Sequence, residues 1–167
     1  MGKQTVIKKI DREWNTFARL AERFAEEDRV RSGAVGYWNV YEALLHIASW
    51  DNAKMTAFKK FEETGEKPEW VGWSGDAIDQ LNEQLISERR NLDSTLIWGH
   101  FEETHTAFVK FLSTCNEPVF SGGSFTGDSI NYSAQHYQAH TQDLARFKES
   151  LEDEAIRLPG VRSGGDG

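Results

Sequence analysis

Apolar residues recur at intervals of three and four positions in four stretches of the chain, which is the period of one face of an α-helix. The first stretch predicts a helix over about residues 4–27, whose end is marked by the charged run EEDRVRSG. The second helix should begin at Asn39, an N-cap residue with Glu42 at the capping-box position, and should end near Gly65.

The second half of the chain carries two further helical stretches between segments rich in glycine and proline. The segment GEKPEWVGWSGD predicts a loop, and a long third helix with an interruption near Asn91 follows it. After a second loop, NEPVFSGGSFTGDS, the fourth helix should cover about residues 130–154. The sequence shows no internal repeat and no alternating strand pattern. It therefore predicts an all-α fold, a four-helix bundle.

Length, composition and charge bound the number of domains and the class of partner. The 167 residues suit one ordinary domain, so we expect residues 1–158 to form a single bundle and the glycine-rich residues 159–167 to form a flexible tail. The net charge of -8, with lysine and arginine scattered among acids, predicts that nucleic acid is not a partner. No segment approaches the ~18 consecutive apolar residues of a membrane span, so we expect no membrane association.

Cysteine content and the first residues favour a cytoplasmic location. The start MGKQTVIKKIDREW has no apolar run of the signal-peptide type, and the single Cys115 cannot form an internal disulfide. Cys115 ends the apolar stripe of the third helix, where a small buried side chain is a better interpretation than a nucleophile.

Three histidines lie on predicted inward faces. His136 and His140 are one helical turn apart, and stepping back by fours from the apolar Leu144 reaches both, so their imidazoles can point at one common atom. His46 lies in the apolar stretch YEALLHIASWD of the second helix. A bundle can bring these helices together, so the three side chains can form a metal site with open positions for water or substrate. The alternative is that each histidine is a core residue with a hydrogen-bond partner.

Other polar and aromatic residues are weaker candidates for chemistry. Glu42 lies one turn before His46, where its carboxylate could orient the imidazole or accept a proton as a catalytic group. We interpret His105 on the third helix as structural. Trp70 and Trp73, in the first long loop, either cap the core or wall a substrate pocket, and the sequence leaves both roles open.

Three segments resemble the DinB-like superfamily of four-helix bundles: GYWNVYEALLHIASWD, LNEQLISERRNLDSTLIWGHFEETHTAFVKFL and INYSAQHYQAHTQDL. The resemblance spans roughly residues 7–151, and the LN…ERR and PVFSGGSFTG segments are most similar to the ClbS/DfsB branch. It implies a metal ion, zinc or nickel, held by one histidine of the second helix and an HxxxH pair of the fourth. Those positions match His46, His136 and His140. Some members also use a low-molecular-weight thiol.

The residues and the resemblance together predict a metal-dependent hydrolase or a thiol-dependent transferase, of a detoxification or self-resistance type, that acts on a small electrophilic compound. Three neutral imidazoles leave the ion its full charge, so a bound water or thiol becomes a nucleophile near neutral pH. The competing hypothesis is a non-catalytic bundle that sequesters a small apolar ligand or mediates protein association. We also expect a homodimer through an exposed helix face.

Overall fold

A computed structural model describes residues 2–158 of the chain. Within this range there is no β-strand, and the regular elements are six α-helices and one short 3₁₀ helix, Glu117–Phe120. The α-helices are α1 (Lys3–Glu22), α2 (Glu26–Arg29), α3 (Val40–Thr64), α4 (Asp76–Ser87), α5 (Ser94–Thr114) and α6 (Phe125–Arg157). The predicted all-α class is confirmed.

The four long helices α1, α3, α5 and α6 form a bundle around one apolar core. Helix α3 packs along α5 and α1 along α6, while contacts of α1 with α5 and of α3 with α6 join the two pairs. Large side chains from all four helices are fully buried, and each contributes roughly 1.5–3 kcal/mol through removal of apolar surface from water. They include Phe17, Leu44, Phe108 and Leu144. Helix α4 packs against α3 beside the bundle.

Helix α3, which carries His46, begins and ends where the sequence predicts. The Asn39 side chain accepts a hydrogen bond from the Glu42 backbone N–H at 2.9 Å, and the Glu42 carboxylate accepts one from the Asn39 backbone N–H at 3.1 Å. This capping box satisfies two backbone donors of the first turn. At the other end Gly65 adopts a left-handed conformation with φ of 73°, which glycine adopts without steric cost.

The first helix is shorter than its apolar pattern predicts. Helix α1 ends at Glu22, and the acidic segment after it forms the separate short helix α2. The break lets Phe24 turn inward, where it is buried and stacks on Phe147 at a ring-centroid distance of 5.7 Å. Burial of one aromatic ring therefore outweighs continuation of the helix through a charged run.

The third predicted helix is two helices, and the fourth starts earlier than predicted. The interruption lies between α4 and α5, where the Asp93 side chain accepts a hydrogen bond from the Thr95 N–H at 3.0 Å. Helix α6 begins at Phe125 because Ser124 caps it by accepting from the Gly127 N–H at 3.0 Å. A Cβ atom at Gly127 would lie 1.9 Å from the Ser121 carbonyl oxygen, so this close approach requires glycine.

The predicted tail, residues 159–167, lies outside the described residues. Among the helices of residues 2–158, none combines the length and the apolar character needed to cross a membrane.

Candidate metal centre

The structure brings together the three histidines that the sequence predicts as metal ligands. His46 on α3 and His136 on α6 are 5% and 8% exposed, and His140, one turn further along α6, is half-buried. Their Nε2 atoms form a nearly equilateral triangle. The separations are 2.9 Å from His46 to His136, 3.1 Å from His46 to His140, and 3.0 Å from His136 to His140.

Hydrogen bonding among the imidazoles alone cannot account for this triangle. A neutral imidazole nitrogen is either a donor or an acceptor, and each of the three contacts would need one of each kind. Three atoms divided into two kinds always leave one pair of the same kind, so at least one contact would set two N–H groups or two lone pairs against each other. A cation that accepts all three lone pairs removes this conflict, and the residues therefore fit a metal ion.

The surroundings of the histidines favour the neutral, metal-binding form of the imidazoles. Burial, with smaller effects from the charges of His140 and Lys54, lowers the pKa of His46 to about 3. The pKa of His136 is also well below its ordinary value, again mainly because of burial. Protons therefore compete weakly with a metal ion for these two nitrogens near neutral pH.

Neighbouring side chains orient the rings to different degrees. The Nδ1 atom of His140 is 3.0 Å from an Asp143 carboxylate oxygen, so an N–H there donates to Asp143 and leaves the Nε2 lone pair free. Within residues 2–158, the Nδ1 atoms of His46 and His136 have no hydrogen-bond partner. Aromatic rings hold these two instead: Trp38 lies 4.7 Å from His46, and Tyr132 stacks at 5.9 Å from His136, between ring centroids.

Glu42, the predicted catalytic carboxylate, is not brought into hydrogen bonding with His46. One of its oxygens belongs to the capping box, and the other accepts from Arg90 Nε at 2.8 Å. Arg90 also donates to Glu83 at 2.6 Å, and Glu83 accepts from the Trp38 indole N–H at 2.6 Å. Glu42 thus stands at the start of a chain of contacts that positions the ring beside His46, and its catalytic role stays a prediction.

The histidines lie at the floor of an open cavity of about 1250 Å³. The segment before α3, helix α3 itself, the loop between α3 and α4, and the start of α6 supply its aromatic walls, so both tryptophans of that loop line a pocket. These wall residues are Trp38, Trp50, Trp70, Trp73, Phe125 and Tyr132. A concave site with aromatic walls and a few polar groups at its base is typical of small-molecule binding.

Sequence reasoning missed a buried polar group beside this floor. The ammonium of Lys54 donates to Ser133 Oγ at 2.8 Å, and the Tyr137 hydroxyl donates to an Asp51 carboxylate oxygen at 2.6 Å. Lys54 is two helical turns after His46, so its place on the same face of α3 was readable from the spacing. His105, in contrast, has the surroundings of a structural residue, stacked on Trp14 at 4.1 Å.

Comparisons with known proteins show the fold. No family model matches the chain, and no curated protein is significantly similar to it in sequence. The crystal structure of the colibactin self-resistance protein ClbS in complex with a double-stranded DNA has a TM-score of 0.75 and 12% identity, and the match covers 89% of this chain and 96% of that one.

An uncharacterised protein from Escherichia coli UTI89 has a TM-score of 0.74 and 12% identity, with 90% of this chain and 95% of that chain covered. The resemblance to the ClbS branch is confirmed by these structures at the level of the fold.

The comparison with ClbS corrects two expectations. Nucleic acid was excluded as a partner from the net charge, and this exclusion is wrong because a protein of this fold has been crystallised with double-stranded DNA. Net charge sums over the whole surface, whereas a DNA contact needs only a local group of cations.

The expected metal-dependent hydrolase or thiol-dependent transferase is also wrong: the structurally similar ClbS is a self-resistance protein crystallised with double-stranded DNA, and neither similar structure supports such an activity. The activity in that expectation, and its alternative of a bundle that sequesters a small apolar ligand, went beyond what histidine spacing and a family resemblance can establish, because a fold does not determine a reaction.

Proposed function

We propose that the chain is a self-resistance protein that holds a divalent metal ion at His46, His136 and His140 and works at double-stranded DNA. The metal-binding part is carried by the triangle of Nε2 atoms with sides of 2.9, 3.0 and 3.1 Å. The self-resistance role and the action at double-stranded DNA are supported by the fold shared with ClbS, whose crystal structure contains double-stranded DNA.

Zinc or nickel is the proposed ion. Imidazole nitrogens suit both metals, and three ligands from the protein leave at least one position open toward the cavity. Since all three ligands would be neutral, the bound ion would keep its double positive charge and attract anionic oxygen atoms in the pocket.

Elemental analysis of protein purified without an affinity tag tests the metal centre. We expect near-stoichiometric zinc or nickel in the unaltered protein and none in the His136→Ala/His140→Ala double variant. His100→Ala is the matched control, because His100 is half-buried on α5 and outside the triangle, and it should retain the metal. Protein that stays metal-free after incubation with both ions would refute the proposal.

Fluorescence anisotropy with a labelled DNA duplex tests the DNA part. The chain carries 27 acidic and 19 basic residues, so only a local group of cations can contact phosphates. With about three phosphate contacts, the affinity should fall about 40-fold between 50 and 200 mM salt. Absence of binding at 50 mM salt and micromolar protein would refute this part and leave the metal centre unaffected.

The cytoplasmic location is proposed from the sequence, whereas the homodimer and the low-molecular-weight thiol cofactor are proposed from the resemblance to the DinB-like superfamily. Light scattering coupled to size-exclusion chromatography tests the dimer directly, with a mass near 38 kDa expected from two chains of 19.0 kDa.

A further inference from the structure

A lysine side chain is buried at the floor of the cavity beside the histidine triangle. Lys54 is only 4% exposed, yet it lines the same cavity as His46 and His136. Its ammonium donates one hydrogen bond, to Ser133 Oγ at 2.8 Å, and lies 5.5 Å from the centre of the Tyr132 ring. The structure thus places a cationic group at the floor of the cavity, where it can contact one end of a bound ligand.

The hydrogen-bonding capacity of this ammonium is largely unused. A charged lysine has three N–H donors, and within residues 2–158 Lys54 uses one of them and forms no ion pair with a carboxylate. The buried carboxylate of Asp51, one turn away on α3, accepts from Tyr137 instead. A buried charge without an ionic partner is costly, so a ligand that brings the missing charge would be favoured.

The lysine remains mostly charged despite its burial. Burial lowers the pKa of Lys54 to about 8, while the charge of Asp51 acts in the opposite direction. A pKa above 7 keeps the protonated form the major one at pH 7. An anion that enters the cavity would meet a cation rather than a neutral amine.

The acidic residues around the cavity are at its solvent side. Asp79, Glu83 and Asp128 line it but are exposed, as is the second lysine of the lining, Lys67. Glu83 is already bonded to Trp38 and Arg90, and Asp128 accepts from the Gly123 N–H at 2.8 Å. Solvent screens these exposed charges, so they weaken the attraction of the buried ammonium for an anion less than buried carboxylates would.

We propose that the cavity binds a small ligand with an anionic oxygen group, such as a carboxylate, on a planar aromatic body, and that Lys54 anchors the anion. The walls suit such a body, because Trp50 and Trp70 meet edge to face at 5.2 Å and Tyr132 offers an exposed ring. The inference rests on the proposed function in taking this cavity as the working site, but it requires no metal ion.

Isothermal titration calorimetry with two probes that share the same ring system tests the proposal. The probes are 2-naphthoate and the neutral 2-naphthylmethanol, titrated into chelator-treated protein so that no ion can bind the carboxylate. We expect the unaltered protein to bind the naphthoate at least tenfold more tightly than the alcohol. Lys54→Met should remove this preference, and Lys54→Arg, which keeps the charge, should retain part of it.

Lys59→Met is the matched control, since Lys59 is an exposed lysine on the same helix and outside the cavity. It should keep the full preference for naphthoate. Circular dichroism and thermal unfolding of each variant establish that the bundle is folded.

Equal affinity for the two probes, no binding of either at millimolar concentration, or an unchanged preference in folded Lys54→Met would overturn the proposal. The preference for naphthoate could instead appear only after zinc is added and survive in Lys54→Met. That result would show that the metal ion binds the carboxylate, which overturns this inference but supports the metal centre. A preference in protein that never binds metal would support Lys54 and refute the metal centre.

Discussion

Replacing Tyr137 by phenylalanine tests how much one buried hydrogen bond contributes to the bundle and in which charge state it does so. Tyr137 is fully buried, and its hydroxyl donates to the Asp51 carboxylate at 2.6 Å. The second oxygen of Asp51 has no hydrogen-bond partner within residues 2–158. The substitution therefore removes a donor that the carboxylate cannot replace.

The size of the effect depends on the charge of Asp51. Burial raises the pKa of this carboxyl to about 7, with Lys54 and the Tyr137 hydrogen bond acting against the rise. A hydrogen bond to a charged group contributes about 1.5–3 kcal/mol and one between neutral groups about 0.5–1.5 kcal/mol. Tyr137→Phe should therefore lower the free energy of unfolding by about 2 kcal/mol at pH 8.5 and by about 1 kcal/mol at pH 5.

Urea denaturation followed by tryptophan fluorescence at both pH values measures the two costs. Tyr132→Phe is the matched control, because Tyr132 is on the same helix with an exposed side chain, and its loss of a hydroxyl should cost less than about 0.5 kcal/mol. An equal cost of Tyr137→Phe at both pH values would show that Asp51 does not change charge between them. A cost below about 0.5 kcal/mol at both would refute the reasoning about the hydrogen bond.

Three further comparisons test other parts of the structure by the same denaturation measurement. The pKa of Asp51 is raised from 3.8 to about 7, so the stability it contributes is complete below pH 3.8 and is lost as the pH rises through about 7. Asp51→Asn should therefore flatten the fall of the unfolding free energy between these pH values. An unchanged pH profile would contradict the raised pKa. Gly127→Ala should destabilise by about 1–3 kcal/mol because its Cβ would overlap the Ser121 carbonyl oxygen, whereas Gly122→Ala has open space and should stay within about 0.5 kcal/mol. Asn39→Ala should cost about 1 kcal/mol and Asn39→Asp much less, since only the first removes the N-cap acceptor; equal costs would argue against the cap.

Helix faces and helix ends were predictable where a local signal sets them. The capping box of Asn39 and Glu42 and the left-handed Gly65 are short-range features, so the sequence places both ends of α3 correctly. The break after Glu22 is different, because it depends on Phe24 reaching Phe147, a contact between distant parts of the chain. No local pattern contains that information.

The candidate metal site was predictable because its geometry follows from helical spacing. Two histidines one turn apart on α6 point their imidazoles toward the same side of the helix. Packing in a bundle places His46 of the facing helix α3 on that side. The role of Glu42 was not predictable in this way, since the same spacing suits an N-cap as well as a contact with an imidazole, and its carboxylate is occupied by Asn39 and Arg90. The prediction that nucleic acid is not a partner was wrong for another reason. Net charge is a sum over the whole chain and carries no information about where cations gather on the surface.

A divalent ion at the histidine triangle, as proposed, would together with Lys54 favour a negative charge at the floor of the cavity. The charge of Lys54 contributes to lowering the pKa values of His46 and His136, so it acts at the place where an ion would bind. The same field opposes a divalent cation, and Asp51, bonded to Tyr137, offsets it only in part. An anionic ligand between the two cationic groups would stabilise both. By linkage, such a ligand and the metal ion must then increase each other's affinity by the same factor. The proposed ion and the proposed anion would therefore belong to one binding site.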